Sequence, residues 1–291
     1  MTATEPADAA LRIAHPALFG PSPATRRLRA VFGALAVLAV LGAFWRTGFL
    51  DATRLWQGLG KLGWLLQFML PPAHNGWLLD FLHALAETLG MALFGTALAF
   101  VIAVPLGFLA ARNILPLNLL RFPLRRGLDG LRGIDTLIWA LIFVNVVGLG
   151  PFAGVLAIAA ADIGVLAKII GEAVENADRR QIEGVRSTGA GRLQTLRFGI
   201  VPQVAPVILS NGLYFLESNV RSASILGVVG AGGIGQELSD RIRINNWDEA
   251  MFLILLILVA VWAIDTMSAS LRMRLIGRAS TRHIGDKRPS P

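Results

Sequence analysis

The sequence contains no cysteine among its 291 residues. Disulfide bonds, thiolate-bound zinc, iron–sulfur clusters and thiol nucleophiles are therefore excluded. Lysine is nearly as scarce: there are three, and none precedes the serine or threonine that completes a phosphate-binding P-loop. The four histidines form no H-E-x-x-H zinc motif, and no G-x-S-x-G elbow occurs. The sequence therefore gives no support to an enzyme, and we predict no cofactor and no metal.

Charged residues are also few, at 16%, whereas hydrophobic residues make up 54%. Soluble domains are usually about a quarter charged. Six apolar segments are long enough, or nearly so, to cross about 30 Å of hydrocarbon as helices. They cover residues 30–45, 81–111, 134–147, 152–170, 204–220 and 250–268. The sequence therefore predicts an all-α integral membrane protein with about six transmembrane helices.

The basic residues predict how these segments are oriented. Of the 27 lysines and arginines, 21 fall on one side of the predicted spans and six on the other. The positive-inside rule assigns the richer side, with both termini, to the cytoplasm. The net charge of +8 is thus interpreted as membrane orientation, so the bilayer is a predicted partner and nucleic acid is not. Segment 30–45 is expected to remain as a signal anchor, because no clear A-x-A cleavage site follows it.

Two further segments invite a specific interpretation. Residues 52–72 are apolar and carry Trp56 and Trp64, which favours an interfacial helix on the outer face over an irregular loop. Residues 230–235 match the dinucleotide pattern G-x-G-x-x-G, but no strand precedes them and no βαβ unit surrounds them. Backbone flexibility or close helix packing is the expected role of these glycines.

The predicted cytoplasmic loop between the fourth and fifth spans carries the most informative spacing. Glu183 is followed six residues later by Gly189, and thirteen residues after that by Pro202. Gly189 is expected to break the segment into two short helices, and Pro202 to start the next span. This stretch resembles the motif E-A-A-x₃-G-x₉-I-x-L-P of ABC importer permeases. Gly184 and Val185 stand in place of the two alanines.

The same motif departs from the pattern near its end. Gly199 occupies the isoleucine position, with Ile200 one place later, and Val201 replaces the leucine. Stretches within 87–113 resemble the opening of the permease core, and residues 221–238 and 264–272 are similar to the phosphonate-transport permeases. The resemblance implies the ABC type I importer permease fold in a bacterial cytoplasmic (inner) membrane. It also implies phosphonate uptake, with phosphate, phosphite, methionine or an osmolyte as alternative cargo.

By the same resemblance, the partners are a dimer of ATP-binding subunits, a second permease copy or paralogue, and a periplasmic or lipid-anchored substrate-binding protein. Residues 1–29 and 276–291 are expected to be cytoplasmic tails. Residues 30–80 are expected to hold the first span and the outer interfacial segment. Residues 81–275 are expected to form the permease domain, with a coupling loop at 171–203. A scaffold or channel without ATPase partners is the alternative from another class.

Polar residues inside apolar spans are candidates for a transport path, because charge in hydrocarbon is costly. Three of them recur at helical spacing on the fifth span and share one face. An arginine at the outer end of that face suits an oxyanion, although it is also typical of a snorkelling anchor. Asp162 could equally face a dimer interface, and Glu87 and Asp265 are expected to be structural. The candidate path residues are Asn145, Asp162, Asn211, Tyr214, Ser218 and Arg221.

Overall fold

The structure is a computed structural model that describes residues 23–48, 51–114 and 118–284. Within these ranges the regular structure is entirely helical. The α-helices are α1 (Pro23–Arg46), α2 (Ala52–Phe68), α3 (Leu78–Ala110), α4 (Asn118–Arg132), α5 (Thr136–Val147), α6 (Pro151–Glu175), α7 (Arg179–Ser187), α8 (Arg192–Thr195), α9 (Val201–Leu226), α10 (Ile234–Arg243) and α11 (Trp247–Ile284). A π-helical turn, Leu196–Ile200, precedes α9, and a 3-10 turn, Gly227–Val229, follows it.

Five helical stretches of the described chain are long and apolar enough to cross a membrane: Thr25–Arg46, Leu78–Ala110, Pro151–Glu175, Arg192–Val229 and Trp247–Met273. The pair α4 and α5 provides a sixth if it is taken as one bent span. The prediction of an all-α membrane protein with about six crossing segments is therefore confirmed.

The third predicted span, 134–147, differs from the observed structure. Helix α5 has 12 residues, and at 1.5 Å per residue it reaches about 18 Å, well short of the hydrocarbon thickness. The residues before it, predicted to be a loop, form helix α4, and the two helices are bent by 90° to each other. The turn occurs at Gly133–Asp135, where the Asp135 carboxylate accepts the Leu137 N–H at 2.8 Å and starts a new helix.

The described chain divides into two compact units, with the boundary after Gln67. In the first, α1 exposes large apolar side chains such as Phe32 and Leu38, both 64% exposed, as a helix surrounded by lipid requires.

Asp51 caps α2: its carboxylate accepts the Thr53 and Arg54 N–H groups, and the Thr53 hydroxyl lowers the pKa of that carboxyl below its ordinary value. Residues 52–68 are thus helical. Of the two predicted tails, residues 1–22 and 285–291 lie outside the described residues.

The core of the second unit is formed by α3 and α6, which are packed closely enough to exclude side chains at two glycines. A Cβ on Gly95 would lie 2.8 Å from Ile158, and one on Gly107 would lie 2.7 Å from Ile170. Buried alanines continue the same contact, including Ala99, Ala103, Ala157 and Ala167. Small residues let membrane helices approach closely, so van der Waals packing holds this pair together.

The glycine motif at 230–235 joins α3 to the start of α10. The Gly233 N–H donates to the Glu87 carboxylate at 3.1 Å, and the Ile234 N–H donates to the Thr88 hydroxyl at 2.8 Å. Gly233 has φ +71°, a left-handed conformation, and a Cβ on Gly235 would lie 1.8 Å from the Ser224 carbonyl oxygen. The glycines therefore serve close packing, and Glu87 has a structural hydrogen bond.

Candidate functional site

Residues 178–203 form a short helix–turn–helix that we call the coupling segment. Asp178 caps α7 by accepting the Arg180 N–H at 2.9 Å. Gly189, which ends the turn, has φ +82° and donates its N–H to Arg186 at 2.9 Å. The Gln194 side chain accepts the Gly191 N–H at 2.9 Å and closes the start of α8. The expectation that Gly189 separates two short helices is confirmed.

Gln203 ties the two ends of the coupling segment together, and sequence reasoning did not identify it. Its side-chain oxygen accepts the Asp178 N–H at 2.8 Å, and its amide nitrogen donates to the Gly199 carbonyl at 2.6 Å. The start of α7 is therefore fixed to the first turn of α9. The contact joins residues 25 positions apart, so its only sequence signal is an amide side chain directly after Pro202.

The end of the coupling segment explains the displaced isoleucine. Leu196–Ile200 is a π-helical turn, and α9 follows with Pro202 in its first turn, as predicted. A π turn holds more residues than an α turn, so it accommodates one extra position. Ile200 is 6% exposed and belongs to one core cluster with Ile182 and Val204. Gly199 is buried beside Ile182, and a Cβ at this position would lie 3.5 Å from the Ile182 Cα, an ordinary contact distance.

The exposed surface of the coupling segment carries both apolar and basic side chains. Glu183 and Gly184 are exposed and Val185 is half-buried. Leu193 is 81% exposed and Phe198 is 61% exposed. Exposed arginines follow on both short helices and the π turn: Arg186, Arg192 and Arg197. Exposed leucine and phenylalanine side chains among cations form an apolar patch of the kind that a partner protein or a membrane covers.

The candidate path residues of α9 lie on its accessible side. Tyr214 is 53% exposed, and Asn211 and Ser218 are half-buried. Asn211 donates to the Val207 carbonyl of its own helix at 2.8 Å, and Asn145 on α5 donates to Leu141 in the same way at 2.7 Å. These amides keep their carbonyl oxygens available, so the helices offer weak polar groups without a closed binding site.

Arg221 lies one turn after Ser218, and the ion pairs around it include Arg272, which sequence reasoning did not single out as a site residue. Glu217 pairs with Arg272 of α11 at 2.8 Å and with Arg221 at 3.7 Å. Glu217 is 14% exposed at its side chain and Arg221 is 52% exposed. Arg272 therefore neutralises Glu217 at the shorter distance, and the guanidinium of Arg221 remains accessible for another anion.

Asp162 is separated from this accessible face. It is 7% exposed, and its carboxylate accepts the Asn219 amide at 2.5 Å. The same amide donates to the Thr96 hydroxyl at 2.9 Å. Thr96, Asp162 and Asn219 belong to α3, α6 and α9, so one polar cluster links three helices inside the bundle. The structure thus places Asp162 beside the buried Asn219, and not beside Tyr214 on the accessible side of α9 with the other candidate path residues.

Residues 103–279, more than half of the chain, match the protein family described as binding-protein-dependent transport system inner membrane component. The chain belongs to this permease family. The matched range contains the coupling segment, α9 and the polar cluster's Asp162 and Asn219.

Individual relatives of the permease agree with this assignment. It is 38% identical over 233 residues to the phosphite transport system permease protein of Stutzerimonas stutzeri, covering 80% of this chain and 84% of that protein. It is 45% identical over 113 residues to a protein of Escherichia coli strain K12 named as a cryptic phosphonate transport system permease, covering 39% of this chain and 93% of that protein.

A solved structure shows the fold of the permease. The inward-facing methionine ABC transporter matches 70% of this chain and 99% of its own chain, with a TM-score of 0.61 at 20% identity. At that identity the likeness concerns the fold, and it confirms the ABC type I importer permease fold expected from the sequence.

Proposed function

We propose that this chain is the membrane-spanning subunit of an importer for phosphonate or a related phosphorus oxyanion, driven by separate ATP-binding subunits. The observation that carries the proposal is the coupling segment, which presents Leu193 and Phe198 on a helix–turn–helix fixed to α9. The cargo class rests on relatives named for phosphite and phosphonate.

The coupling segment is suited to pass movement from a soluble subunit to the membrane. Glu183, Gly184 and Val185 lie on its accessible surface, Gly189 sets its sharp turn and Pro202 starts α9. Because Gln203 bonds to Asp178, a force on α7 acts on the first turn of α9. We infer that an ATPase dimer covers this surface and that the segment faces the cytoplasm.

The path for the cargo is assigned to the accessible side of α9, with Asn211, Tyr214, Ser218 and Arg221, and to Asn145 of α5. A phosphonate carries negatively charged oxygens that match the paired donors of a guanidinium. Asp162 acts from inside the bundle by holding α9, through Asn219, at its place against α6. A second permease copy would complete the path, and a substrate-binding protein would deliver the cargo from outside.

The test is ATP-dependent uptake of labelled methylphosphonate into vesicles that contain this chain with its ATP-binding and substrate-binding proteins. Phosphite, phosphate and methionine serve as competitors. The variant Leu193→Asp places a charge on the docking surface, and Ile244→Asp, at a site 58% exposed beyond α10, is the matched control.

We expect the parent and Ile244→Asp to take up methylphosphonate, and Leu193→Asp to lose both uptake and co-purification of the ATPase. Binding-protein-dependent ATP hydrolysis with uptake of methionine alone would overturn the cargo assignment and leave the importer assignment in place. A chain that never associates with an ATPase would overturn the importer assignment itself.

A further inference from the structure

A charged cleft lies where α3 and α6 end, and its lining residues all fall between 110 and 172, outside the coupling segment and α9. It has a volume of about 590 Å³ and lies between the ends of these helices and α4. Five of its lining residues are basic: Arg112, Arg121, Arg125, Arg126 and Lys168. Two lining residues, Asp129 and Glu172, are acidic, so the cleft has a net positive charge.

Helix α4 is pressed directly onto α6. Leu128 is 6% exposed and belongs to the core cluster that also contains Leu166. A Cβ on Gly164 of α6 would lie 2.6 Å from the Leu128 carbonyl oxygen, so the two backbones touch. Helix α4 is bent by 90° from the apolar helix α5, so the two do not form one straight span.

The side chain of Arg125 lines the cleft and is held in place by hydrogen bonds. Its guanidinium donates to the Ala110 carbonyl at 2.9 Å, which satisfies a terminal carbonyl of α3, and it also bonds to the Glu175 carboxylate. Glu175 accepts the backbone N–H of Arg112 at 2.7 Å as well. These contacts hold α3, α4 and α6 in place, and they leave the remaining cations to face the cleft.

Three of those cations are held only loosely. Arg112 is 71% exposed and 4.0 Å from Glu175, and Arg126 is 69% exposed and 3.6 Å from Asp129. Lys168 is 44% exposed and 4.0 Å from Glu172. Exposed pairs at such distances contribute little to stability. A phosphate group can therefore replace the carboxylates as their partner at small cost.

Apolar side chains stand beside the cations. Leu119 is 86% exposed, Leu120 is 59% exposed and Phe122 is 63% exposed, and Phe122 also lines the cleft. Cations next to exposed leucine and phenylalanine on one helix are the pattern of an amphipathic helix at a lipid surface. A free anion would engage the cations and leave these three side chains in water.

We propose that this cleft binds the phosphate group of an anionic phospholipid of the inner leaflet, with the acyl chains lying along Leu119, Leu120 and Phe122. Basic pockets between membrane helices on the cytoplasmic side bind anionic headgroups. The lipid would brace α4 against the ends of α3 and α6. The proposal rests on membrane insertion in the proposed orientation and is independent of the cargo.

The test measures lipid retained by the full chain in detergent, by native mass spectrometry, with phosphatidylglycerol, phosphatidylcholine and inorganic phosphate as probes. We expect one phosphatidylglycerol per chain to be retained and phosphatidylcholine to be lost. The triple variant Arg112→Gln, Arg126→Gln, Lys168→Gln should bind phosphatidylglycerol roughly 10- to 100-fold more weakly. The control triple Arg26→Gln, Arg27→Gln, Arg29→Gln removes the same charge from α1 and should retain it.

Equal retention by the folded cleft variant, judged by unchanged circular dichroism, would overturn the proposal. The parent chain provides a second test that needs no variant. Phosphatidylglycerol should raise its melting temperature while inorganic phosphate at equal concentration neither raises it nor competes. Competition by inorganic phosphate would show an anion site and overturn the lipid. Neither readout involves uptake, so failure of the transport assay leaves this test unaffected.

Discussion

A single amide, that of Asn219, connects three helices of this permease. Its nitrogen reaches both Asp162 and Thr96, and Asn219 and Asp162 are 4% and 7% exposed. A buried carboxylate without a donor is costly, because nothing else at that depth replaces water. Asn219 is therefore the residue on which the position of α9 against α6 and α3 depends.

Replacing Asn219 by alanine should lower the free energy of unfolding by about 1–3 kcal/mol, because it leaves the Asp162 carboxylate unpaired. Thermal unfolding in detergent measures the change. Asn211→Ala is the matched control, since the Asn211 amide donates to the Val207 carbonyl of its own helix at a half-buried site. Equal melting temperatures for the two variants would contradict the role assigned to Asn219.

A substitution of Arg221 tests whether this residue contributes to the proposed transport path. Arg221→Gln removes the accessible charge while Glu217 keeps Arg272 at 2.8 Å, so the fold should persist. We expect uptake of methylphosphonate to fall at least about tenfold, the scale of one charge-assisted hydrogen bond. Arg221→Lys should recover part of the loss. Unchanged uptake by the glutamine variant would make Arg221 an anchor in the lipid interface.

At the scale of the element, the coupling segment combines a turn at Gly189 with a hydrogen bond that joins its two ends. Gly189 provides a left-handed residue, and Gln203 closes the segment onto α9. Gly191, two positions away, has φ −70°, a conformation open to any residue. The two glycines therefore differ in their need for glycine, although both are exposed.

Gly189→Val should strain the turn by roughly 1–2 kcal/mol or distort it, because a β-branched residue is disfavoured at positive φ. We expect ATP hydrolysis to lose its dependence on the substrate-binding protein while the helical content stays constant. Gly191→Val should behave as the parent. If both variants retained coupled hydrolysis, the shape of this turn would be irrelevant to coupling.

The sequence predicts the long helices well and α4 poorly, for a physical reason. A run of apolar residues has one stable outcome in lipid, a helix, so α3, α6 and α11 follow from composition alone. Helix α4 contains three arginines and a proline, Arg121, Arg125, Arg126 and Pro123, and this composition is typical of a polar loop. In the folded chain, Leu128 of α4 is buried in the core cluster that includes residues of α6. Helix α4 is therefore stabilised by packing against α6, and the local sequence contains no signal for that contact.

At the scale of the whole molecule, the absence of cysteine makes the orientation of the chain directly measurable. Each introduced cysteine is the sole thiol. Ser187→Cys, exposed in the coupling segment, should react with a membrane-impermeant maleimide only after cells are opened. Asn245→Cys, exposed after α10, should react in intact cells. The reverse pattern would place both termini outside.

The site was less predictable than the fold across the whole molecule. The residues proposed to couple to the ATPase share one segment, so spacing alone groups Glu183, Gly189 and Pro202. Asp162 lies on a helix that is buried on several sides, and no polar face indicates its direction. Its partner is 57 residues away, and only the packing of α9 on α6 brings the two together.

The glycine contacts between α3 and α6 have a mechanical consequence. A slide of either helix by one residue, about 1.5 Å, would drive Ile158 and Ile170 against backbone that has no room for them. We therefore expect α3 and α6 to move together rather than slide past each other. We expect the hinges of any movement to lie outside this pair, in the π turn before α9 and at the bend between α4 and α5.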